Sequence, residues 1–99
     1  MRNGRVETYM HSDSITEHKG AAMVKVTVVT DFAARTDIFK AFCHEAAKHA
    51  YAALGHTRRF LGDWSIVVRQ YPHLEDQRLA VQRELHEAVQ VTDVIILSL

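Results

Sequence analysis

Histidine and carboxylate side chains cluster in His44-Glu45-Ala46-Ala47-Lys48-His49, which invites comparison with the zinc-protease pattern His-Glu-x-x-His. That chemistry needs two histidines four apart, so that both reach one metal from one helical face. Here they are five apart, which on a helix turns them ~140° from each other. Metal catalysis is therefore not expected, and both histidines are expected on the solvated side of a helix, with His44 and Lys48 also suited to an interface. The other five, His11, His18, His56, His73 and His86, show no pair with ligand spacing. Cys43 is the only cysteine, so it can neither form an internal disulfide nor complete a zinc site with the histidines. It sits on an apolar stripe and reads as a core residue. The four glycines lie too far apart for a phosphate-cradling loop. No catalytic residues, cofactor or metal are expected, and the chain does not read as an enzyme.

What remains is an interaction chemistry carried by Thr30-Asp31-Phe32-Ala33-Ala34-Arg35. Its position depends on the elements around it. Residues 6–11 alternate weakly, as an edge strand does, and residues 12–20 form a polar loop. Residues 22–29 read as a strand with Val24, Val26 and Val28 on one side and Lys25 and Thr27 on the other. Residues 36–54 form the clearest helix: Phe39, Phe42, Cys43, Ala46, Ala47, Ala50 and Leu54 recur at three- and four-residue spacing, while Lys40, His44, Glu45 and Lys48 take the opposite face. Thr30 or Thr36 caps its start and Gly55 ends it. Residues 56–63 form a loop. Residues 64–71 are β-branched and aromatic and are expected to be a strand, stopped by Pro72. Residues 74–91 are expected to form a second helix, with Glu75 and Asp76 at its positive end and an apolar stripe of Val81, Leu85 and Ala88. Residues 93–99 suit a buried final strand.

This order, β-β-α-β-α-β, predicts an α+β fold: a two-layer domain with a mostly antiparallel sheet and helices on one face. The other sheet face is left for solvent or a second subunit. At 99 residues the chain holds one domain, spanning residues 1–99. With 47% apolar and 24% charged residues it has the balance of a globular chain rather than a disordered one. Twelve basic residues match twelve acidic ones, so net charge supplies no attraction toward nucleic acid or an anionic membrane. No apolar run approaches the ~20 residues that span a bilayer. The first ten residues are polar and mixed in charge, unlike a secretory signal. A soluble cytoplasmic protein is the resulting expectation.

From Val24 the chain reads Val-Lys-Val-Thr-Val-Val-Thr-Asp-Phe-Ala-Ala-Arg-Thr-Asp-Ile-Phe-Lys-Ala-Phe. This resembles the core of translation elongation factor Ts, in which a strand runs into Thr-Asp-Phe-Val-Ala-Arg and then a helix. Thr30, Asp31, Phe32, Ala34, Arg35 and Phe39 match in place, and Tyr9-Met10-His11 is similar to the family's Tyr-Ile-His strand. The resemblance covers about half the chain, residues 5–53. It implies binding to the GTPase elongation factor Tu in protein biosynthesis, through Thr30, Asp31, Phe32, Ala33 and Arg35, with Phe32 as a wedge near the GTPase's magnesium site that promotes guanine-nucleotide exchange. Val28-Val29 stand where the family usually has Cys-Glu, and Ala33 stands for its valine. The family's amino-terminal helical module, second core subdomain and coiled coil have no counterpart in these 99 residues, so docking is a firmer expectation than full exchange. The alternative expectation is a non-catalytic interaction module of the same fold that self-associates as a homodimer.

Overall fold

The computed structural model describes residues 3–28, 30–52 and 64–98. Strand β1 (Asn3–His11) and strand β2 (Gly20–Val28) form a hairpin in continuous antiparallel register, from Asn3 opposite Val28 to His11 opposite Gly20. Strand β3 (Gln90–Ser98) pairs antiparallel with the other side of β2, so β2 is central and the sheet order is β1-β2-β3. The class is α+β with a wholly antiparallel described sheet.

Alternation in β2 sets the layers. Ala22, Val24, Val26 and Val28 are buried on one face, and helix α2 (Asp37–Ala52) packs across it. The inward face of α2 carries Ile38, Phe39, Phe42, Cys43, Ala46, Ala47 and Ala50, all fully buried. Its alanines let the helix approach the valine ridge closely, and Phe39 and Phe42 supply the bulk. Lys40, His44 and Lys48 lie in solvent as their spacing predicts, whereas Glu45 is half-buried and accepts a hydrogen bond from the Tyr71 hydroxyl at 3.4 Å.

Two local differences from the expected layout have physical causes. Residues 64–71 do not form a strand: Trp64–Gln70 is a helix, α3, giving β-β-α-α-α-α-β among the described residues. Val67 is fully buried while Arg69, two residues on, is exposed, which a half-buried strand does not allow. Packing of α3 against α2 outweighs the strand propensity of a β-branched run. The Tyr71 amide closes the helix on the Val67 carbonyl (2.8 Å), and Pro72 then starts a 3-10 turn, Pro72–Leu74. Helix α4 (Glu75–Ala88) follows, with Glu75 and Asp76 in its first turn and Val81 buried.

The last strand begins earlier than expected, at Gln90, and is only partly buried, on one side. Its register slips at Lys25/Val26, leaving Thr92 as an extra residue whose hydroxyl donates to the Lys25 carbonyl at 3.1 Å. That bulge puts both Val91 and Val94 on the helix-covered face although they are three residues apart. On the opposite sheet face, which was expected to be left for solvent or a second subunit, Val6, Met10, Met23, Ile95 and Leu97 are all exposed. The expected helix end at Leu54 and Gly55, the loop at residues 56–63, and the side chains of Leu85 and Ala88 lie outside the described residues.

Candidate docking turn

The turn after β2 is held by two threonines, each capping a helix. Thr30 is extended (φ −108°, ψ 145°) and its Oγ1 accepts the Ala33 amide at 3.2 Å, starting helix α1 (Asp31–Ala34). Helix α1 lasts one turn. It ends as the Arg35 amide bonds to the Asp31 carbonyl and the Thr36 amide to the Ala33 carbonyl, both at 3.2 Å. The Thr36 hydroxyl then works in both directions: it donates to the Ala33 carbonyl (2.8 Å) and accepts the Phe39 amide (3.3 Å), capping α2. The Ile38 amide is taken up by Gln77 Oε1 of α4 at 3.1 Å. Helix start donors that would otherwise lack partners are thereby satisfied.

The side chains of the turn divide sharply. Ala33 is fully buried and Thr30 half-buried, so these two anchor the turn. Phe32 is 63% exposed, and it does not tuck under the sheet as a purely structural helix start would have it. Asp31 and Arg35 are exposed beside it and form an i,i+4 ion pair. A surface pair of this kind contributes little to stability. Of the five residues expected to meet a partner, Asp31, Phe32 and Arg35 are thus presented outward, and Thr30 and Ala33 hold them there.

No family model matches the chain, and no curated protein matches it.

The remaining candidates resolve simply. His44 is exposed, whereas His49, expected on the solvated side, is half-buried; among the described residues no group of three His, Cys, Asp or Glu side chains is arranged to hold a metal. Cys43 is buried, and burial pushes its thiol up to about 12, which leaves it without thiolate character at neutral pH. No described helix is long and apolar enough to cross a membrane. One cluster escaped the sequence reading. The Tyr9 hydroxyl bonds to His11 Nδ1 at 2.9 Å, and the His11 ring stacks on Tyr51 with centroids 4.7 Å apart. Tyr51 in turn lies over Gly20, where an added Cβ would come within 2.5 Å of the ring. The two-residue spacing of Tyr9 and His11, placing both on the helix-facing side of β1, was the available signal.

Proposed function

We propose that this chain is a small elongation-factor-Ts-like docking protein: a non-enzymatic, cytoplasmic module that binds a Tu-type translational GTPase through the turn at Asp31, Phe32 and Arg35. The observation that carries the reading is the outward Phe32 on a doubly capped turn whose neighbour Ala33 is fully buried. A ring left in water has no stabilising role in its own fold, whereas its burial in a partner pocket contributes about 1.5–3 kcal/mol. That is the scale of an interface hot spot. The turn's hydrogen bonds already fix its backbone, so docking orders few new groups. The matched Thr-Asp-Phe-x-Ala-Arg pattern names the class of partner.

Exchange activity is a further step of the same proposal. A binder accelerates GDP release only if it favours the nucleotide-free GTPase over the loaded one. A ring that competes with the GTPase's metal-holding side chains supplies that difference.

A pull-down with purified elongation factor Tu tests the docking. Capture is expected, with Phe32→Ala weakening it at least tenfold, which corresponds to about 1.4 kcal/mol. Absence of capture, or capture indifferent to that change, overturns the reading. A GDP-release assay on the captured complex then separates exchange from binding alone.

A further inference from the structure

The two edges of the sheet are guarded unequally. An edge strand presents a row of unpaired N–H and C=O groups, and proteins usually blunt it with charges, bulges or a covering helix. β1 is blunted: Arg5 and Glu7 pair along it at 2.9 Å, and both α1 and α2 pack against it. Among the described residues β3 pairs with β2 alone, and its other edge makes no backbone hydrogen bond to them. Helix α2 lies mainly over β1 and β2. The bulge at Thr92 and the charge of Asp93 protect only the first half of β3. Beyond them residues 94–97 read Val-Ile-Ile-Leu, with no charge, proline or bulge. Val94 and Ile96 are half-buried against the core, while Ile95 and Leu97 are 55% and 66% exposed on the outer side.

We propose that the free edge of β3 binds an extended segment of another protein as a fourth, antiparallel strand, and that this segment carries a short run of successive apolar residues followed by a lysine or arginine. Three observations select that occupant. The first is the backbone. The alternating N–H and C=O groups of a strand edge are satisfied by another strand and not by a helix. The second is composition. Residues 94–97 are apolar on both sides of the sheet, so an added strand meets apolar neighbours whichever way each side chain points. It therefore needs a continuous apolar run and not an alternating one. β3 already takes such a strand on its other side, where residues 97 to 94 stand opposite residues 21 to 24 of β2, Ala-Ala-Met-Val. The third is charge. Lys25 follows that run and stands opposite Asp93, on the outer side of the sheet. Asp93 is exposed and takes part in no ion pair among the described residues, with Lys25 or any other. A cation at the matching place of an incoming strand reaches Asp93 from its open side. A second copy of β3 does not supply that cation: paired antiparallel over residues 94–97, it sets each Asp93 against Ser98. Phe32 follows the end of β2 whose Thr27 pairs with Gln90, whereas residues 94–97 lie toward the hairpin end. Docking through Phe32 and strand addition thus use different surfaces.

Fluorescence anisotropy of a labelled peptide with the sequence of β2, Gly-Ala-Ala-Met-Val-Lys-Val-Thr-Val, titrated with the full chain, tests the proposal. Saturable binding with a Kd of about 100 µM or tighter is expected. Two N-methylated peptides, each blocking the amides along one edge, report the backbone pairing. One should bind like the parent and the other at least tenfold more weakly. Replacing the peptide's lysine by glutamate should weaken binding about fivefold, and Asp93→Asn in the chain should abolish that preference. On the wild-type chain, saturating peptide should slow hydrogen exchange at alternate amides between Asp93 and Leu97, a readout that needs no variant. Phe32→Ala and Met10→Lys should bind the peptide as the wild type does. No saturation at about 1 mM chain, N-methylated peptides that behave alike, or a preference for lysine that persists in Asp93→Asn each overturns the proposal. So does loss of binding in Met10→Lys, which would place the peptide on the outer sheet face. A wild type that sediments as a dimer with its β3 amides already protected also overturns it, because the edge would then belong to a second copy.

Discussion

Gln77 of α4 accepts the backbone N–H of Ile38, thirty-nine positions away, at 3.1 Å. This one side chain ties the start of α2, and so the turn that presents Phe32, to the last helix. Ile38 itself is fully buried, so its amide has little access to water in compensation. Gln77→Leu should therefore destabilise the fold by about 1–2 kcal/mol, read as a lower urea midpoint with unchanged slope. Gln77→Glu, which keeps the acceptor oxygen, should recover most of that loss. Equal losses in both variants would show that the bond is immaterial.

Phe32 and Ala33 are adjacent and should behave as opposites. Removing the exposed ring in Phe32→Ala leaves stability within about 0.5 kcal/mol, as for other surface changes. Ala33→Leu forces extra methylenes into a site with no exposure and should cost about 1–3 kcal/mol. Thermal unfolding of the two variants checks this, and a large loss in Phe32→Ala would mean that the ring supports the fold.

The division between these two residues is also where the sequence reading stopped. The Thr-Asp-Phe pattern located the turn, because capping depends on residue types within a few positions. Whether Phe32 or Ala33 points inward depends on the entry angle of α1 between sheet and helices, which no local pattern encodes.

Gly20 should not tolerate a side chain. An added Cβ lies 2.5 Å from the Tyr51 ring and hydroxyl and 2.9 Å from the Leu97 carbonyl. Gly20→Ala is expected to lower stability by about 1–3 kcal/mol. In the Tyr51→Ala background the same change should cost less, since the ring is gone, and a double-mutant cycle measures the coupling. Strict additivity would contradict the close packing.

The β1–β2 loop should respond to acid through Asp13. Its carboxylate accepts the amides of Thr16 (2.6 Å) and Ile15 (2.8 Å) and pairs with Lys19 at 3.2 Å. Those two amide bonds, Thr16 first, and then Lys19 lower it from the model-peptide value of 3.8 to about 2. A depressed carboxylate favours the folded state above its unfolded pKa, and that contribution fades as pH falls through the folded one. The stability difference between wild type and Asp13→Asn should thus be constant above pH ~5 and close between about pH 4 and 2. A carboxyl carbon titration by NMR should place the midpoint of Asp13 near the lower figure. A midpoint near 4 would mean that the loop is not held this way.

Some features of this protein were set by the sequence alone. The three- and four-residue spacing from Phe39 to Ala50 is a property of the helix period, and every one of those side chains is buried where the period puts it. The alternation of Val24, Val26 and Val28 determined the inner face of β2 in the same way, and Pro72 ended the segment before it because proline has no N–H to continue a hydrogen-bonded backbone. Other features were decided only in three dimensions. Trp64–Gln70 is helical because burying Val67 against α2 outweighs a local strand preference. Thr92 bulges so that Val91 and Val94 share one face of β3. Met23, Ile95 and Leu97 have apolar character in the sequence, but their standing side by side in water follows from strand order and register. Period is a property of neighbouring residues along the chain. Coverage depends on which distant element arrives, and only the assembled fold determines that.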